Sequence, residues 1–225
     1  MDNKKNIDFN CDLALTDASE QDKAFELADY VSSVNIACAL HSGCPLSMKK
    51  AIDNCKFKNK VIGALIGLPE TVKEPLELSE EEIEAIVLYQ LGAISAFAKA
   101  YSLNIEHVRT HGEMYKLAAE NLEFSIKIAK AVKKYSKWLV LYGAMGEVLK
   151  QTVEAVNIRC AAEFVIENEE SVSKLEEMIA LDNIPDTLHF SVETADVIEL
   201  LKKTSQLVHP RPVNYNRAAL SGWVE

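Results

Sequence analysis

Seven side chains of this 225-residue chain are of types that do chemistry together: Asn10, Asp12, Asn35, His41, Arg109, His111 and Glu163. Carboxylates and imidazoles can share proton transfer or bind a divalent ion, while Asn and Arg orient and neutralise a carboxylate or phosphate. These are the residue types of hydrolytic sites acting on a small acidic substrate. No local spacing among them is diagnostic of a metal, so a divalent ion fits the residue types but has no further support.

Each of the seven also has a structural reading. Asn10 and Asp12 are common turn residues, and both could simply cap turns. His41 and His111 could be half-buried, satisfied histidines, each close to a glycine that permits near approach of the backbone. Glu163 could be an ion-pair partner of Arg109.

What must position these groups is a series of short apolar strands. Candidates run over 7–10, 33–37, 61–66, 107–110, 138–142, 159–164 and 188–192, and the polar residues lie at or just past their ends. Helical patterns fall between them. The clearest starts at the capping box Ser79–Glu82 and continues through Ile83, Ile86, Val87, Leu91, Ile94 and Phe97. Others are expected over 45–55, 117–135, 146–156, 171–179 and 194–201. Alternation of this kind implies parallel strands joined by right-handed crossovers, as an open doubly wound sheet or a closed barrel. In either, the carboxyl ends of the strands form the ligand-binding edge. One domain is expected over 1–205, with 206–225 as an extension whose Leu220 and Trp223 could dock on the body or on a second copy.

Composition narrows the setting. A formal net charge of −10 argues against nucleic-acid or anionic-membrane partners, which need clustered Lys and Arg. The start of the chain lacks a long apolar run and no stretch reads as a membrane span, so a cytoplasmic protein is expected. Five cysteines without C-x-x-C spacing read as reduced thiols. Cys44, directly before Pro45, is expected at a helix N-cap, where the dipole favours a thiolate.

Ordered motifs along the chain resemble those of the LamB/YcsF family, to which the A subunits of 5-oxoprolinase belong. Asn10-Cys11-Asp12-Leu13 matches the start of its N-C-D-L-G-E, and Ser33 to Pro45 resembles S-x-N-I-A-C-G-x-H-A-G-D-P. Leu88 to Ala93 is similar to L-Y-Q-x-G-A, Val108 to Tyr115 to V-K-P-H-G-A-L-Y, and Leu141-Tyr142-Gly143 and Ala161 to Phe164 continue in order. The resemblance implies a distorted (β/α)7 TIM-like barrel of the glycoside hydrolase/deacetylase type. It further implies ATP-dependent opening of the 5-oxoproline lactam to L-glutamate, with ATP as co-substrate and the 5-oxoprolinase B and C subunits as partners. In that setting Asp12 would be the base, with His41 and His111 contacting substrate or metal. Arg109 would meet anionic groups, and Asn10, Asn35 and Glu163 would complete the substrate site.

The chain departs from these motifs at several polar positions. Leu15 replaces the acid of N-C-D-L-G-E, Cys44 replaces the Asp of H-A-G-D-P, and Leu65 stands where G-A-H-P-G-Y-P-D has histidine. The late H-G-D motif falls on Phe190 to Val192, and the A-D-R after Glu163 is missing. Apolar side chains at such positions abolish hydrogen bonding there. Two other readings therefore stand beside the enzyme component: a catalytically degenerate paralogue acting in a binding or regulatory role, and a stand-alone metal-dependent hydrolase.

Overall fold

A computed structural model of the chain describes residues 4–14 and 18–213. Leu15, Leu220 and Trp223 lie outside the described residues. The strands are β1 (Asn6–Leu13), β2 (Ser33–Ala37), β3 (Val61–Ile66), β4 (Ile105–Thr110), β5 (Val140–Ala144), β6 (Arg159–Ile166) and β7 (Thr187–Phe190). All pair in parallel in chain order, and β1 bonds to both β2 and β7, so the seven close into a barrel.

The helices are α1 (Ala18–Leu27), α2 (Pro45–Phe57), α3 (Glu80–Ala100), α4 (Gly112–Glu120), α5 (Leu122–Tyr135), α6 (Glu147–Val156), α7 (Glu169–Ala180) and α8 (Val197–Leu207). The start of α3 is capped as its sequence predicts, with Ser79 and Glu82 bonding reciprocally. Cys44 caps α2 in the same way with Ser47. Two helices replace the single one expected over 117–135, because Asn121 adopts an extended conformation and caps α5 by accepting from the Phe124 amide. By length and composition α3 could cross a membrane, contrary to the sequence expectation. Its charges are confined to its two ends, but Ile83, Val87, Leu91, Ile94 and Ala98 are buried against the body of the fold.

After α8 the chain turns back to the barrel. His209 and Pro210 form β8, parallel to the first residues of β1, and Val213 is buried with Val140, Tyr142 and Ala161 at the amino-terminal end of the barrel. The described part of the extension is thus docked.

Ala14 and Ala39 take left-handed backbone angles, φ 66° and 60°. Both stand where the corresponding family motifs carry glycine. A left-handed L-residue costs about 1–2 kcal/mol, partly offset by the roughly 0.5–1 kcal/mol that glycine loses in chain entropy. Ala39→Gly should therefore stabilise the fold by about 0.5–1 kcal/mol, raising the melting temperature by about 2–4 °C per kcal/mol. An unchanged or lower melting temperature would contradict this reading.

Candidate active site

Barrel interiors are usually filled by layers of branched aliphatic side chains. Here many of the inward positions are polar. Alternation along β1 turns Asp8, Asn10 and Asp12 inward, and these meet Ser33 and Asn35 from β2, His107 and Arg109 from β4, Tyr142 from β5, Glu163 from β6, and Thr187 and His189 from β7. All are buried.

Arg109 anchors the charged part of the network. Its Nε donates to both Glu163 oxygens at 3.0 Å, its Nη2 lies 2.9 Å from Oε2, and its Nη1 donates to Asp12 Oδ2 at 3.4 Å. The Tyr115 ring lies 4.7 Å from the guanidinium and completes its enclosure. Burial alone would raise the Asp12 pKa, but the Arg109 charge, with help from the Asn35 hydrogen bond, holds it below the usual carboxylate range. Asp12 is therefore ionised at neutral pH.

The carboxylates dictate the direction of every amide in the interior. Glu163 can only accept, so Asn10 Nδ2 donates to it (3.1 Å) and to Thr187 Oγ1 (2.8 Å). Asn10 Oδ1 consequently accepts from Asn35 Nδ2 and from His189 Nδ1, both at 2.8 Å. Asn35 Nδ2 also reaches Asp12 Oδ1 at 2.9 Å, which leaves Asn35 Oδ1 to accept from His107 Nε2 at 2.9 Å. Deeper in the barrel, Ser32, Ser33, Thr187 and Tyr142 donate to Asp8, yet its burial outweighs them and pushes its pKa up to about 6.

Gly63 makes room for this arrangement. His107 stacks on Tyr142 with ring centroids 4.3 Å apart, and a Cβ on Gly63 would lie 2.2 Å from the His107 ring. Gly63→Ala should therefore cost about 1–3 kcal/mol, as for other overpacked cores, visible as an earlier midpoint in urea unfolding. A wild-type midpoint would show that the ring can move away freely.

At the mouth of the barrel, His41 and His111 face each other with ring centroids 5.1 Å apart. Gln90 bonds both backbone groups of Gly67 and presents Oε1 to His41 Nδ1 at 3.2 Å. His41 Nε2 is buried without a partner in the structure. Burial, assisted by His111, lowers the His41 pKa to about 4, so the ring is neutral and Nε2 carries a lone pair. A cleft of about 530 Å³ opens here, lined by both histidines, Gly67 to Glu70, Val72, Lys73 and Gly112 to Met114. Cys44, at the start of α2, is exposed, and its N-cap hydrogen bonds with Ser47 lower its pKa.

All seven residues singled out from the sequence thus gather at one end of one barrel, in two tiers. Asp12, His41 and His111 stand at the mouth. Asn10, Asn35, Arg109 and Glu163 lie beneath, with their polar atoms engaged by one another, so they support the mouth rather than reach into the cleft. Among the described residues, no three His, Cys, Asp or Glu side chains are grouped to hold a metal ion.

The family model described as "LamB/YcsF family" matches residues 7–173, most of the chain. The chain belongs to the LamB/YcsF family. Relatives named as the A subunit of 5-oxoprolinase, from Bacillus cereus (strain 03BB102) and Geobacillus kaustophilus (strain HTA426), are each 37% identical over 162 residues, covering 70% and 71% of this chain. The matches span 64% and 63% of those relatives' own lengths. Among solved structures, the lactam utilization protein from Thermus thermophilus superposes with a TM-score of 0.77 at 27% identity, covering 92% of this chain and 99% of that one. The uncharacterized protein ATU2773 from Agrobacterium tumefaciens C58 shares the fold, with a TM-score of 0.59 at 14% identity, 90% of this chain and 82% of that one being covered.

Within the LamB/YcsF frame, the seventh strand delivers a histidine after all. Phe190 turns outward and packs on Phe9, with ring centroids 5.0 Å apart, while His189 turns inward to Asn10 and Asp12. The sequence reading also passed over Asp8, His107, Tyr142 and Thr187. The available signal was period two: each lies two residues before or after an inward polar residue, or pairs across a strand with one.

Proposed function

We propose that this chain is the A-type component of an ATP-dependent 5-oxoprolinase, opening the 5-oxoproline lactam to L-glutamate together with B and C partner subunits. The observation that carries the reading is the ionised Asp12, clamped by Arg109 and Asn35 at the mouth of the barrel, beside a cleft lined by His41 and His111. Identity to relatives named for this activity supports it.

A lactam carbonyl is a poor electrophile. Transfer of the ATP γ-phosphoryl group to its oxygen, assigned to the complex with the partner subunits, would give an activated imidate. This chain's part is then to hold the imidate in the cleft and direct a water at its ring carbon. Lys73 is the cation of the cleft and would face the substrate carboxylate. His41 Nε2 would accept a hydrogen bond from the substrate or an attacking water. Arg109 acts through Asp12, keeping it ionised and fixed, and Glu163 holds Arg109 in place.

The test is ATP-dependent conversion of 5-oxoproline to glutamate by this chain mixed with B and C subunits, with a relative carrying the full motif set as control. Turnover supports the reading. Absence of turnover, with the control active and the partners still bound, would favour a binding or regulatory role. One observation favours that alternative: Leu65, buried and opposite Arg109 in the β3–β4 register, gives the barrel interior an apolar side chain where the family motif has histidine.

A further inference from the structure

Resting on that functional reading, we infer that His189 is the proton acceptor of the reaction, its Nε2 and Asp12 Oδ2 together seating the attacking water. Hydrogen-bond direction decides the role of each nitrogen. Glu163 fixes the Asn10 amide with its nitrogen toward the carboxylate, and Asn10 Oδ1 then points at His189 Nδ1, 2.8 Å away. The ring must donate from Nδ1. Its other nitrogen, Nε2, therefore carries a lone pair and lies 3.8 Å from Asp12 Oδ2.

Two acceptors face each other across that gap, and neither can donate to the other. A water donating one hydrogen to each satisfies both, and its remaining lone pairs are free to point at a substrate. Asp12 is the weaker base of the two partners, since Arg109 and Asn35 already stabilise its negative charge. Burial keeps His189 neutral, with its pKa lowered to about 4, and Arg109 pushes in the same direction. The group is thus unprotonated when a base is needed.

In the step proposed, a water O–H bond breaks and its proton passes to His189 Nε2. The oxygen's electron pair forms the new bond to the ring carbon of the phosphorylated imidate, and the C=N π pair moves to the ring nitrogen. The imidazolium, held beside the Asp12 carboxylate, then returns the proton to that nitrogen. One water is added across C=N and His189 ends neutral; C–N cleavage then passes the hydroxyl proton to the departing nitrogen and leaves an acyl phosphate, which a second water hydrolyses to the carboxylate and inorganic phosphate. Asn10 is a positioning residue that sets which ring nitrogen faces the water.

Two measurements test this. Long-range proton–nitrogen NMR of the full chain labelled at histidine nitrogens should show His189 protonated at Nδ1; protonation at Nε2 would overturn the inference. In the reconstituted complex, His189→Asn keeps a donor toward Asn10 Oδ1 but has no base, and should lower kcat at least about 100-fold with KM unchanged. His189→Ala should regain part of the lost kcat when imidazole is added. Wild-type kcat in His189→Asn, or a rise in KM with kcat intact, would overturn the role. Wild-type turnover is read first: its absence overturns the functional reading and this role with it, whereas turnover that survives His189→Asn overturns this role alone.

Discussion

Replacing Arg109 by methionine is expected to lower the stability of the fold by about 3–5 kcal/mol, the cost of leaving buried charges without their partner. The guanidinium is buried, and three of its nitrogens reach the carboxylates of Asp12 and Glu163. Without it, two carboxylates share a water-poor interior with only amide and hydroxyl donors. At about 2–4 °C per kcal/mol, the melting temperature should fall by at least about 6 °C. Glu163→Gln alone should cost less, because Gln retains an oxygen for Asn10, and in the double variant the two costs should not add. Additive costs would show that the guanidinium and Glu163 are energetically independent.

The same residue sets a pH dependence. Asp12 has a folded pKa below its ordinary value, so its contribution to stability is present above about pH 4, where the unfolded group is ionised, and is lost as pH falls through the lower folded value. As pH falls below about 4 the wild type should therefore progressively lose this contribution, and Arg109→Met should show a smaller loss. An identical acid slope in chemical unfolding would contradict the pairing.

Asp12→Asn is expected to reduce turnover in the reconstituted complex by about 10²–10⁴-fold, the range for removing a proton-transfer group or its partner. The substitution is isosteric, so Oδ1 can still accept from Asn35, but the new amide would present a donor to Arg109 and the imidazolium of His189 would lose its counter-ion. Steady-state kinetics with unchanged partner binding would check this. Full activity would remove Asp12 from the site.

The barrel was legible because its signals are local. Strands β2 and β3 lie where short apolar runs end in turn residues, and the α3 capping box marks the start of its helix. The missed features depend on the neighbours a residue meets in three dimensions. Nothing local announces that Asn121 both ends α4 and begins α5, and Trp138, read as the start of a strand, is 68% exposed, with β5 beginning only at Val140.

The site was half legible for a related reason. Asn10, Asp12, Asn35, His41, Arg109, His111 and Glu163 announce themselves by type at strand ends, and they do converge. His107 and His189 fall within the spans read as apolar strands, 107–110 and 188–192, and only a polar barrel interior gives them partners. The division of the seven into a mouth and a support beneath it depends on which atoms are already engaged, and hydrogen-bond geometry alone reveals that.

The most direct test of the central claim is a crystal structure of this chain with 5-oxoproline bound. The lactam is expected in the cleft at the barrel mouth, with its ring carbon facing Asp12 and His189, His41 Nε2 within hydrogen-bond distance and Lys73 toward its carboxylate. A lactam seated elsewhere on the fold, or a mouth left empty at saturating ligand, would contradict the proposed function.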